Sequence, residues 1–586
     1  MRGWLFVGVS VALTAPACSG SDSDGGAAGS GATSGGSAGA GNTGAAGSSA
    51  AAAGRGTGGA GATAGSASGG GAGRGGTGPD GGSGAASGRG GAGASAGRAG
   101  SGGATAGSGA AGSGAAAGEG GGGSSGSGAA GSATAPSGCE NPAWDPADFD
   151  TVIEVGPGLD AETPSVVPWE LLPAGTLVRI HHRAEPYRDK WVVNTTGTPN
   201  KPVVVLGVPE NGVLPVISGD GAKTRSALDY WNEDRGIVKV GGADAPGGPA
   251  AYVTIECLDI TSARPGLSFD DASGASTEYS ENAACLYLED GSHVTLRNNA
   301  VHGCGNGIFA SSGSSEVLVT GNHVYDNGIA GSQYEHNSYT EALGITFEFN
   351  HYEPLCAGCE GNNLKDRSAG TVIRYNWLEG GSRELDLVES DHQELVDDPR
   401  YHETFVYGNV LVEPDDMGNS QILHYGGDGD DPSMFRKGTL FFYDNTVVST
   451  RGGNTTIFRL SSEEESADAR NNVVSVTADG NALAISAGMG AIVLKDNWLP
   501  AGWVDSHDDL TGTIDDQGNV TGVSPGFTDG AAQDFTLAAG SACIGAAGPL
   551  ASGASAYPVE LEYVRHQGGK TRTDDGDPDI GAFEAE

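Results

Sequence analysis

The sequence predicts an all-β protein wound into a parallel β-helix, a solenoid in which each turn of the chain forms one rung. Three observations predict this fold. Continuous apolar patterns at the helical period are scarce, and short apolar runs are bounded by glycine, proline, asparagine or threonine. In addition, the phrase apolar-x-apolar-x-x-Asn-apolar recurs along the chain, with its asparagine at seven positions: Asn299, Asn322, Asn376, Asn409, Asn445, Asn472 and Asn497.

The spacing of these asparagines indicates one rung per repeat. Successive gaps are 23, 54, 33, 36, 27 and 25 residues, and periods of about 20 to 50 residues mark repeat architectures. An asparagine at the same corner of every rung can hydrogen-bond to its neighbour and satisfy buried turn groups. A β-sandwich with asparagine in its turns is the alternative, but sandwiches need tighter hairpin spacing. The gap of 54 spans about two rungs, and one of four asparagines could mark a rung hidden inside it: Asn337, Asn350, Asn362 or Asn363.

The first 18 residues predict an export signal. An apolar run from Trp4 to Leu13 follows Arg2 and is too short to span a bilayer as a stable helix. It ends in Ala-Pro-Ala-Cys18, which resembles the lipobox of bacterial lipoproteins, in which the cysteine is lipidated. Ordinary signal cleavage near the same place is the alternative. We therefore expect an exported protein, either secreted or held at the outer-membrane surface through Cys18.

Residues 19–138 predict a disordered linker, because they are almost wholly glycine, alanine, serine and threonine and cannot bury enough apolar surface to fold. Such a segment would tether the envelope to the folded body. We expect the β-helix over residues 139–504 and the last coils and cap of the same solenoid over residues 505–586. Solenoids need such caps to protect their exposed edge.

The net charge excludes some classes of partner. The whole chain carries −43, and its first 138 residues hold five arginines and four acids, so the remaining residues carry −44. A domain this acidic repels nucleic acid and anionic lipid, which leaves the lipid anchor as the predicted membrane contact. The charge is typical of a soluble secreted surface, and we expect a monomer. The alternative is that some of the carboxylates bind Ca²⁺, which prefers oxygen ligands.

Seven cysteines follow Cys18, and in an exported protein they can form disulfides: Cys139, Cys257, Cys285, Cys304, Cys356, Cys359 and Cys543. The odd number leaves at least one unpaired. Cys356 and Cys359 form a CxxC motif, which predicts a local disulfide. A zinc site there would need a second pair of ligands.

The predicted functional site is the segment His336–Glu389, where ionisable side chains crowd together and the strand-turn repeat is interrupted. A cluster of basic residues is unusual in so acidic a domain and indicates a functional site. The alternative is that each basic residue forms an ordinary salt bridge with Asp366, Glu379 or Glu384. The candidates for catalysis are Lys365, Arg367, Arg374, His336 and Tyr339, and those for substrate binding are His351, Arg383 and Asn363.

The same segment contains a candidate calcium site. In Glu384-Leu-Asp386-Leu the two-residue period places both acids on the outer face of a strand and both leucines inside. With Glu389, these carboxylates could hold Ca²⁺ beside the basic loop. A solvated strand face explains the pattern equally well.

Three features together resemble bacterial secreted right-handed parallel β-helix proteins that degrade polysaccharides: the lead-in LLPAGTLVRIHHRAEPYRDKWVV, the recurring asparagine and the stretch NNLKDRSAGTVIRYNWLEGGSRELDLVE. The likeness covers roughly residues 150–586. Residues 367–376 are also similar to the Lys-Ser-x-x-Asn-x-x-Arg-x-Asn pattern of chondroitinase B-like and alginate lyases. In those enzymes the lysine is the general base and an arginine further on is the acid. Here Arg367 occupies the lysine position and Lys365 lies two residues earlier, so either could be the base.

Together these inferences predict an enzyme that acts on an acidic polysaccharide, most simply a lyase that cleaves beside a uronic acid by β-elimination. A hydrolase using a pair of carboxylates, as at Asp397-Asp398, Asp415-Asp416 or Asp430-Asp431, is one alternative. A non-catalytic carbohydrate-binding or adhesin-like surface protein is the other. Convergence of His336, Tyr339, Lys365 and Arg367 in one groove would favour an enzyme, and their scatter would favour a binding protein.

Overall fold

The computed structural model describes residues 135–140, 142–415, 418–477, 482–573 and 576–585. The predicted export signal, Cys18 and nearly all of the predicted linker lie outside these residues, as does Asp416. Among the described residues, no helix is both long enough and apolar enough to cross a membrane.

Short strands dominate the described chain. In order they are β1 Thr151–Val155, β2 Thr176–His181, β3 Asp189–Val193, β4 Val203–Val208, β5 Val216–Ser218, β6 Ala222–Thr224, β7 Asp229–Tyr230, β8 Gly236–Val240, β9 Ala243–Ala245, β10 Ala250–Glu256, β11 Asp259–Ala263, β12 Ser268–Asp270, β13 Ser276–Glu278, β14 Ala284–Leu288, β15 Gly291–Arg297, β16 Ala300–Cys304, β17 Asn306–Ala310, β18 Ser315–Thr320, β19 His323–Tyr325, β20 Ser338–Thr340, β21 Leu343–Glu348 and β22 His351–Tyr352. The second half continues with β23 Leu364–Asp366, β24 Ala369–Arg374, β25 Trp377–Glu379, β26 Leu385–Leu387, β27 Glu403–Tyr407, β28 Val410–Glu413, β29 Gln421–Tyr425, β30 Thr439–Tyr443, β31 Thr446–Ser449, β32 Thr455–Leu460, β33 Ser466–Arg470, β34 Val473–Val476, β35 Leu483–Ser486, β36 Ala491–Lys495, β37 Trp498–Pro500, β38 Val504–Ser506, β39 Thr513–Gln517, β40 Val520–Gly522, β41 Phe527–Asp529, β42 Asp534–Leu537, β43 Leu561–Val564 and β44 Gly568–Thr571.

These strands wind into a parallel β-helix, as predicted. Each rung contributes one strand to each of three long sheets, and equivalent strands of successive rungs pair in parallel, for example β18, β21 and β24. Sheet one contains β1, β2, β4, β10, β15, β18, β21, β24, β27, β30, β33, β36 and β39. Sheet two contains β5, β11, β16, β19, β22, β25, β28, β31, β34, β37 and β40. Sheet three contains β13, β12, β6, β3, β8, β14, β17, β20, β23, β26, β29, β32, β35 and β38, with β12 and β13 antiparallel.

Helical structure in the described residues is limited to single turns. The α-helical turns are α1 Ser137–Glu140 and α2 Gln393–Val396, and the 3₁₀ turns are Pro146–Asp148, Pro164–Val166, Trp169–Leu171, Glu233–Arg235, Pro399–His402, Gly530–Ala532 and Ser552–Ala554.

The interior of the coil is apolar. Because side chains alternate across each strand, every second residue points inward and stacks on its equivalent in the next rung. Phe347, Ile373, Val406 and Phe442 form such a column in sheet one, each no more than 1% exposed.

The predicted asparagine ladder lies at the corner between sheets one and two. The Nδ2 atom of each member donates to the Oδ1 atom of the next, over 2.8 to 3.0 Å. Asn350 is the hidden rung inside the gap of 54, and Asn519 extends the ladder by one rung. The segment 336–389 is therefore not an interruption of the repeat, because regular rungs run through it.

Residues 523–585 do not simply cap the end of the coil. After β40 the chain folds back and packs two antiparallel hairpins, β41–β42 and β43–β44, on the outside of the rungs. Its apolar side chains cover aromatic rows on sheets one and two, which would otherwise face water. The contacting pairs include Tyr557 on Phe405 and Phe535 on Trp377.

Three disulfides join Cys139 to Cys257, Cys285 to Cys304 and Cys356 to Cys359. The last confirms the local disulfide predicted for the CxxC motif. Cys543 is buried and is the one unpaired cysteine among the described residues.

Candidate functional site

One row of outward-facing side chains runs along sheet three, parallel to the axis of the coil. Register partners on successive strands form it: Tyr287, Phe309, Tyr339, Lys365, Asp386, His424 and Arg459. The flanking residues of the same strands point inward, as Leu385 and Leu387 do around Asp386. Strand alternation thus places an aromatic and charged row on the outer face of the sheet.

Loops beside this row enclose a groove of about 1010 Å³. His336, Tyr339, Lys365 and Arg367, which the sequence singled out, all line it, as do Arg383 and Asp386. Asp428 and Arg459 also line the groove and were not predicted. The four residues chosen to distinguish an enzyme from a binding protein therefore converge on one face.

Lys365 lies between two carboxylates at the floor of the groove. Its Nζ is 2.8 Å from Asp386 Oδ2 and 2.5 Å from Asp428 Oδ2. Burial by itself would lower the pKa of Lys365, but the charges of the two aspartates outweigh burial and raise this pKa above its usual value. Burial opposes ionisation of both acids too, yet Lys365 holds the pKa of each below its usual value. Lys365 is therefore an ammonium at neutral pH.

Arg367 lies just after β23 and reaches the same acids from the corner of the rung. Its guanidinium donates to the Glu389 carbonyl at 2.6 Å and to Asp428 Oδ1 at 3.1 Å, and it lies 3.5 Å from Asp391. Burial disfavours its charge, but the charges of Tyr339, Asp428 and nearby acids raise its pKa. Its Nε is buried and has no hydrogen-bond partner within the described ranges. A planar guanidinium with a donor to spare suits a bound carboxylate.

His336 is a neutral, buried imidazole. Burial, reinforced by the charge of Lys365, lowers its pKa to about 3. Its Nδ1 accepts the Asn362 backbone N–H at 2.9 Å, which leaves the proton of the neutral ring on Nε2. The Nδ1 lone pair is therefore already used as a hydrogen-bond acceptor. His336 can donate a hydrogen bond through Nε2 but cannot act as a general base.

Tyr339 stands beside these cations. Its ring contacts His336 edge-on, with 5.5 Å between centroids, and the Arg367 guanidinium lies 5.9 Å from the ring. Burial raises the pKa of Tyr339, while the charges of Arg367 and Lys365 pull it down. These cations would stabilise a phenolate.

Two further arginines extend the positive lining. Arg383 donates to Gln421 Oε1 at 2.9 Å and lies 3.7 Å from Asp386, and its Nε is a second buried donor without a described partner. Arg459 is exposed, and no hydrogen bond or ion pair joins its side chain to another described residue. Both are available to an acidic ligand.

Three residues predicted for catalysis or substrate binding lie outside the groove. Arg374 is on the outer face of sheet one, where it binds Glu348 Oε2 at 2.7 Å and the Tyr407 hydroxyl at 3.1 Å. His351 is on sheet two. Asn363 is fully buried and accepts from Asn337 Nδ2 at 2.7 Å in a second, shorter ladder.

The ion pairs of the basic cluster also differ from the predicted ones. Asp366, Glu379 and Glu384 were the expected partners, whereas the four basic side chains pair with acids that face them from other rungs or corners: Asp386, Asp391, Asp428 and Glu348. Asp366 is instead sealed inside the coil, where its carboxylate meets Arg436 at 3.2 Å.

The three acids predicted to bind calcium do not form one cluster. Asp386 faces the groove and binds His424 as well as Lys365. Glu384 is fully buried away from it, and burial together with the nearby Glu413 raises its pKa well above its usual value. Glu389 accepts two backbone N–H groups, those of Asp428 and Gly429, and so orders the loop that carries Asp428.

Comparison with known proteins identifies the fold. Residues 241–382 match the family model described as a right-handed β-helix region. No curated protein matches the chain.

Similar solved structures include the pectate lyase Pel9A, which is 12% identical, covers 75% of this chain and 97% of its own, and gives a TM-score of 0.43. An alginate lyase from Paenibacillus is 12% identical, with coverages of 58% and 97% and a TM-score of 0.37. The adhesin PfbA of Streptococcus pneumoniae is 9% identical, with coverages of 59% and 89% and a TM-score of 0.35. Residues 241–382 thus match a right-handed β-helix region, and the parallel coil of the described chain extends on both sides of them.

Proposed function

We propose that the groove on sheet three binds an acidic polysaccharide and cleaves it by β-elimination beside a uronic acid. One observation carries this proposal: Lys365, Arg367, Arg383 and Arg459 line a single groove together with Tyr339, on a chain whose net charge is −43. Basic side chains grouped in this way can bind an anionic ligand locally. The lining also contains five acids: Glu281, Glu335, Glu360, Asp386 and Asp428. The groove follows the axis of the coil, which suits an extended polymer.

Elimination requires three things of the protein. A positive group must neutralise the uronate carboxylate, a base must take the proton on the adjacent carbon, and an acid must protonate the glycosidic oxygen that leaves. The electron pair of the broken C–H bond becomes a carbon–carbon double bond, and the C–O bond breaks. Arg367 and Arg383 suit the first role, because both guanidinium groups line the groove and a guanidinium can bind a carboxylate with two donors.

The protonation states suggest how the other roles are shared. Lys365, held as an ammonium by Asp386 and Asp428, suits the acid that protonates the leaving oxygen. Tyr339 suits the base as a phenolate stabilised by Arg367 and Lys365. Because the pKa of Tyr339 is raised overall, this assignment predicts a rate that increases toward alkaline pH.

Calcium remains part of the proposal. Asp386 and Asp428 are oxygen donors that face the groove, and oxygen is the ligand that Ca²⁺ prefers. Bound there, Ca²⁺ would supply further positive charge for the uronate carboxylate. Both acids now bind Lys365, so the ion would compete with that ammonium.

Hydrolysis is the second candidate, and Asp386 and Asp428 favour it because both contact one Lys365 Nζ and so lie close together. A hydrolase needs one of its two carboxyl groups protonated, whereas the pKa of each aspartate is lowered. Two of the three pairs suggested by the sequence are engaged elsewhere, since Asp398 and Asp431 each accept hydrogen bonds within their own turns. Asp416 of the third pair lies outside the described residues. Attachment to the cell envelope through Cys18 stays a proposal beside either activity.

The test is an elimination assay on the full-length protein. Pectate, alginate, chondroitin sulfate and hyaluronan are each incubated with added Ca²⁺ or with a chelator, and the ultraviolet absorbance of the unsaturated uronate is followed. We expect Lys365→Met, Arg367→Met and Tyr339→Phe each to lower the rate at least about 100-fold, the scale of general acid–base catalysis. Arg374→Met is the matched control, because this arginine lies on sheet one.

Each outcome has a distinct meaning. New reducing ends without the absorbance signal would establish hydrolysis and overturn the lyase proposal. Loss of activity in Arg374→Met but not in Lys365→Met would place the chemistry on sheet one. Binding of a polymer with neither product would make the protein a carbohydrate-binding surface protein.

A further inference from the structure

We propose a second site, independent of the groove, in which His323, His351 and Glu353 bind a divalent transition metal such as Zn²⁺. It lies on the outer face of sheet two. His323 on β19 and His351 on β22 are register partners on neighbouring rungs, and Glu353 follows directly after β22. The coil itself therefore brings the three side chains together.

The distances fit a metal centre. His323 Nε2 lies 3.4 Å and His351 Nε2 3.7 Å from Glu353 Oε1, and the three ligand atoms all lie within 4.8 Å of one another. Ligand atoms held about 2.0–2.1 Å from a tetrahedral Zn²⁺ are separated by roughly 3.4 Å. The observed separations need only a small adjustment to reach that geometry.

An unsatisfied nitrogen points to the same ligand. His323 Nε2 is buried, and among the described residues no group makes a hydrogen bond of good geometry to it. Buried polar atoms of this kind ordinarily have a partner, and a missing ion is one explanation of an exception. A metal between the two imidazoles would provide that partner.

The chemistry of the ligands selects the metal. Two imidazole nitrogens with one carboxylate suit Zn²⁺ and its neighbours in the first transition row, whereas Ca²⁺ prefers oxygen alone. The side chain of Glu353 is 41% exposed, which leaves water access for a fourth ligand. Three protein ligands and one open position are typical of an accessible zinc site.

The C-terminal hairpin β43–β44 covers one side of the cluster without supplying a ligand. The His566 ring stacks on His351 with 3.8 Å between centroids, but its Nε2 accepts from Arg565 Nε and its Nδ1 meets the Tyr563 hydroxyl. Arg565 therefore lies beside the cluster through His566, and its Nη1 also donates to the carbonyls of residues 532 and 533. The rings of His323 and His351 are now nearly parallel, so His323, the more exposed of the two, would tilt toward the ion.

The proposal is tested by calorimetric titration of the full-length protein with ZnCl₂ after dialysis against a chelator. We expect one equivalent to bind to the wild type. In His323→Gln and Glu353→Gln the dissociation constant should rise at least about 100-fold, because loss of a direct ligand exceeds the 10–100-fold effect of an outer one. His507→Gln is the matched control, since His507 is an exposed histidine just after β38 of sheet three, and its replacement should leave binding unchanged.

A thermal scan with and without zinc gives a second measurement, in which the zinc-dependent rise in Tm should be absent from the two ligand variants. Glu353→Gln alters a side chain at the surface, so its fold is expected to survive. Absence of one-equivalent binding in the wild type would overturn the proposal, as would equal binding by all variants. Binding that is lost only in Asp428→Asn would place the metal in the groove and equally refute it. Polysaccharide cleavage does not enter the test, so either proposal can fail alone.

Discussion

Asn376→Ala is expected to destabilise the protein far more than the loss of one amide would suggest. Asn376 Nδ2 donates to the carbonyls of Phe347 and Arg374 and to Asn409 Oδ1, at 2.9 to 3.0 Å. Its Oδ1 accepts from both Asn350 N and Asn350 Nδ2, at 3.0 and 2.9 Å. The residue is fully buried, so water cannot replace these partners.

The magnitude follows from the groups that are left behind. Asn409 Oδ1 keeps a bond from the backbone N–H of residue 376, and Asn350 Nδ2 keeps the carbonyl of Val319. The Asn350 N–H and the Phe347 carbonyl each lose a buried bond, which costs about 1–3 kcal/mol per group. With the small cavity added, we expect a loss of about 3–5 kcal/mol in the free energy of unfolding.

Asn519→Ala is the matched control, because Asn519 ends the ladder and is half-exposed. Water can satisfy its partners, so its loss should cost about 1 kcal/mol. Urea unfolding measures both variants, and hydrogen exchange of the Asn350 amide reports the broken rung directly, because long repeat arrays can unfold in parts. Equal destabilisation by the two variants, or an Asn350 amide that stays protected in Asn376→Ala, would refute this account of the ladder.

Two further predictions concern buried charges. Burial raises the pKa of Asp444 to about 7 despite the opposing charge of Arg572, so the folded state holds a proton that the unfolded chain releases above about pH 4. Stability from this group is therefore fully present below pH 4 and is lost as the pH rises to 7, by at most about 4 kcal/mol. Between pH 5 and pH 8, the free energy of unfolding measured with urea should fall less in Asp444→Asn than in the wild type. An equal fall in both proteins would contradict the raised pKa of Asp444. Arg436 is fully buried and binds Asp366 at 3.2 Å and the Val388 carbonyl at 2.9 Å; Arg436→Met should cost about 3–5 kcal/mol, because it leaves the aspartate charge unpaired. The same unfolding assay measures it, and a loss below about 1 kcal/mol would contradict this account of the buried pair.

The ladder could be predicted because it is a local signal. At each corner a residue with positive φ precedes the asparagine, as at Asn298, Phe349, Tyr375 and Gly408. Positive φ is uncommon for residues other than glycine, and the next position must carry an amide that can be buried, so the corner constrains two consecutive residues. The recurring phrase misses two rungs of the ladder, Asn350 and Asn519. Asn350 cannot be distinguished from Asn337, Asn362 and Asn363 without the pairing of strands.

The site was only half predictable, because nearness in sequence is not nearness in space on a coil with three faces. Arg374 follows Lys365 by nine residues and lies on another sheet, whereas Asp428 is 63 residues away and touches it. The number of residues between a ladder asparagine and the outward-facing row of sheet three varies between rungs: Asp386 follows Asn376 by ten and His424 follows Asn409 by fifteen. Because the loops differ in length, the sequence alone does not show that Asp428 and Arg459 lie in the groove.

The folded-back segment after β40 has a consequence for how the protein is made. Until it emerges from the ribosome, the finished rungs present bare aromatic flanks, among them Phe405, Phe441 and Trp377. Exposed apolar surface of that kind makes a chain without this segment prone to aggregate. The segment therefore protects the coil from association by covering these aromatic side chains. A chain truncated before this segment should aggregate, and the aggregation would be detected before any loss of activity.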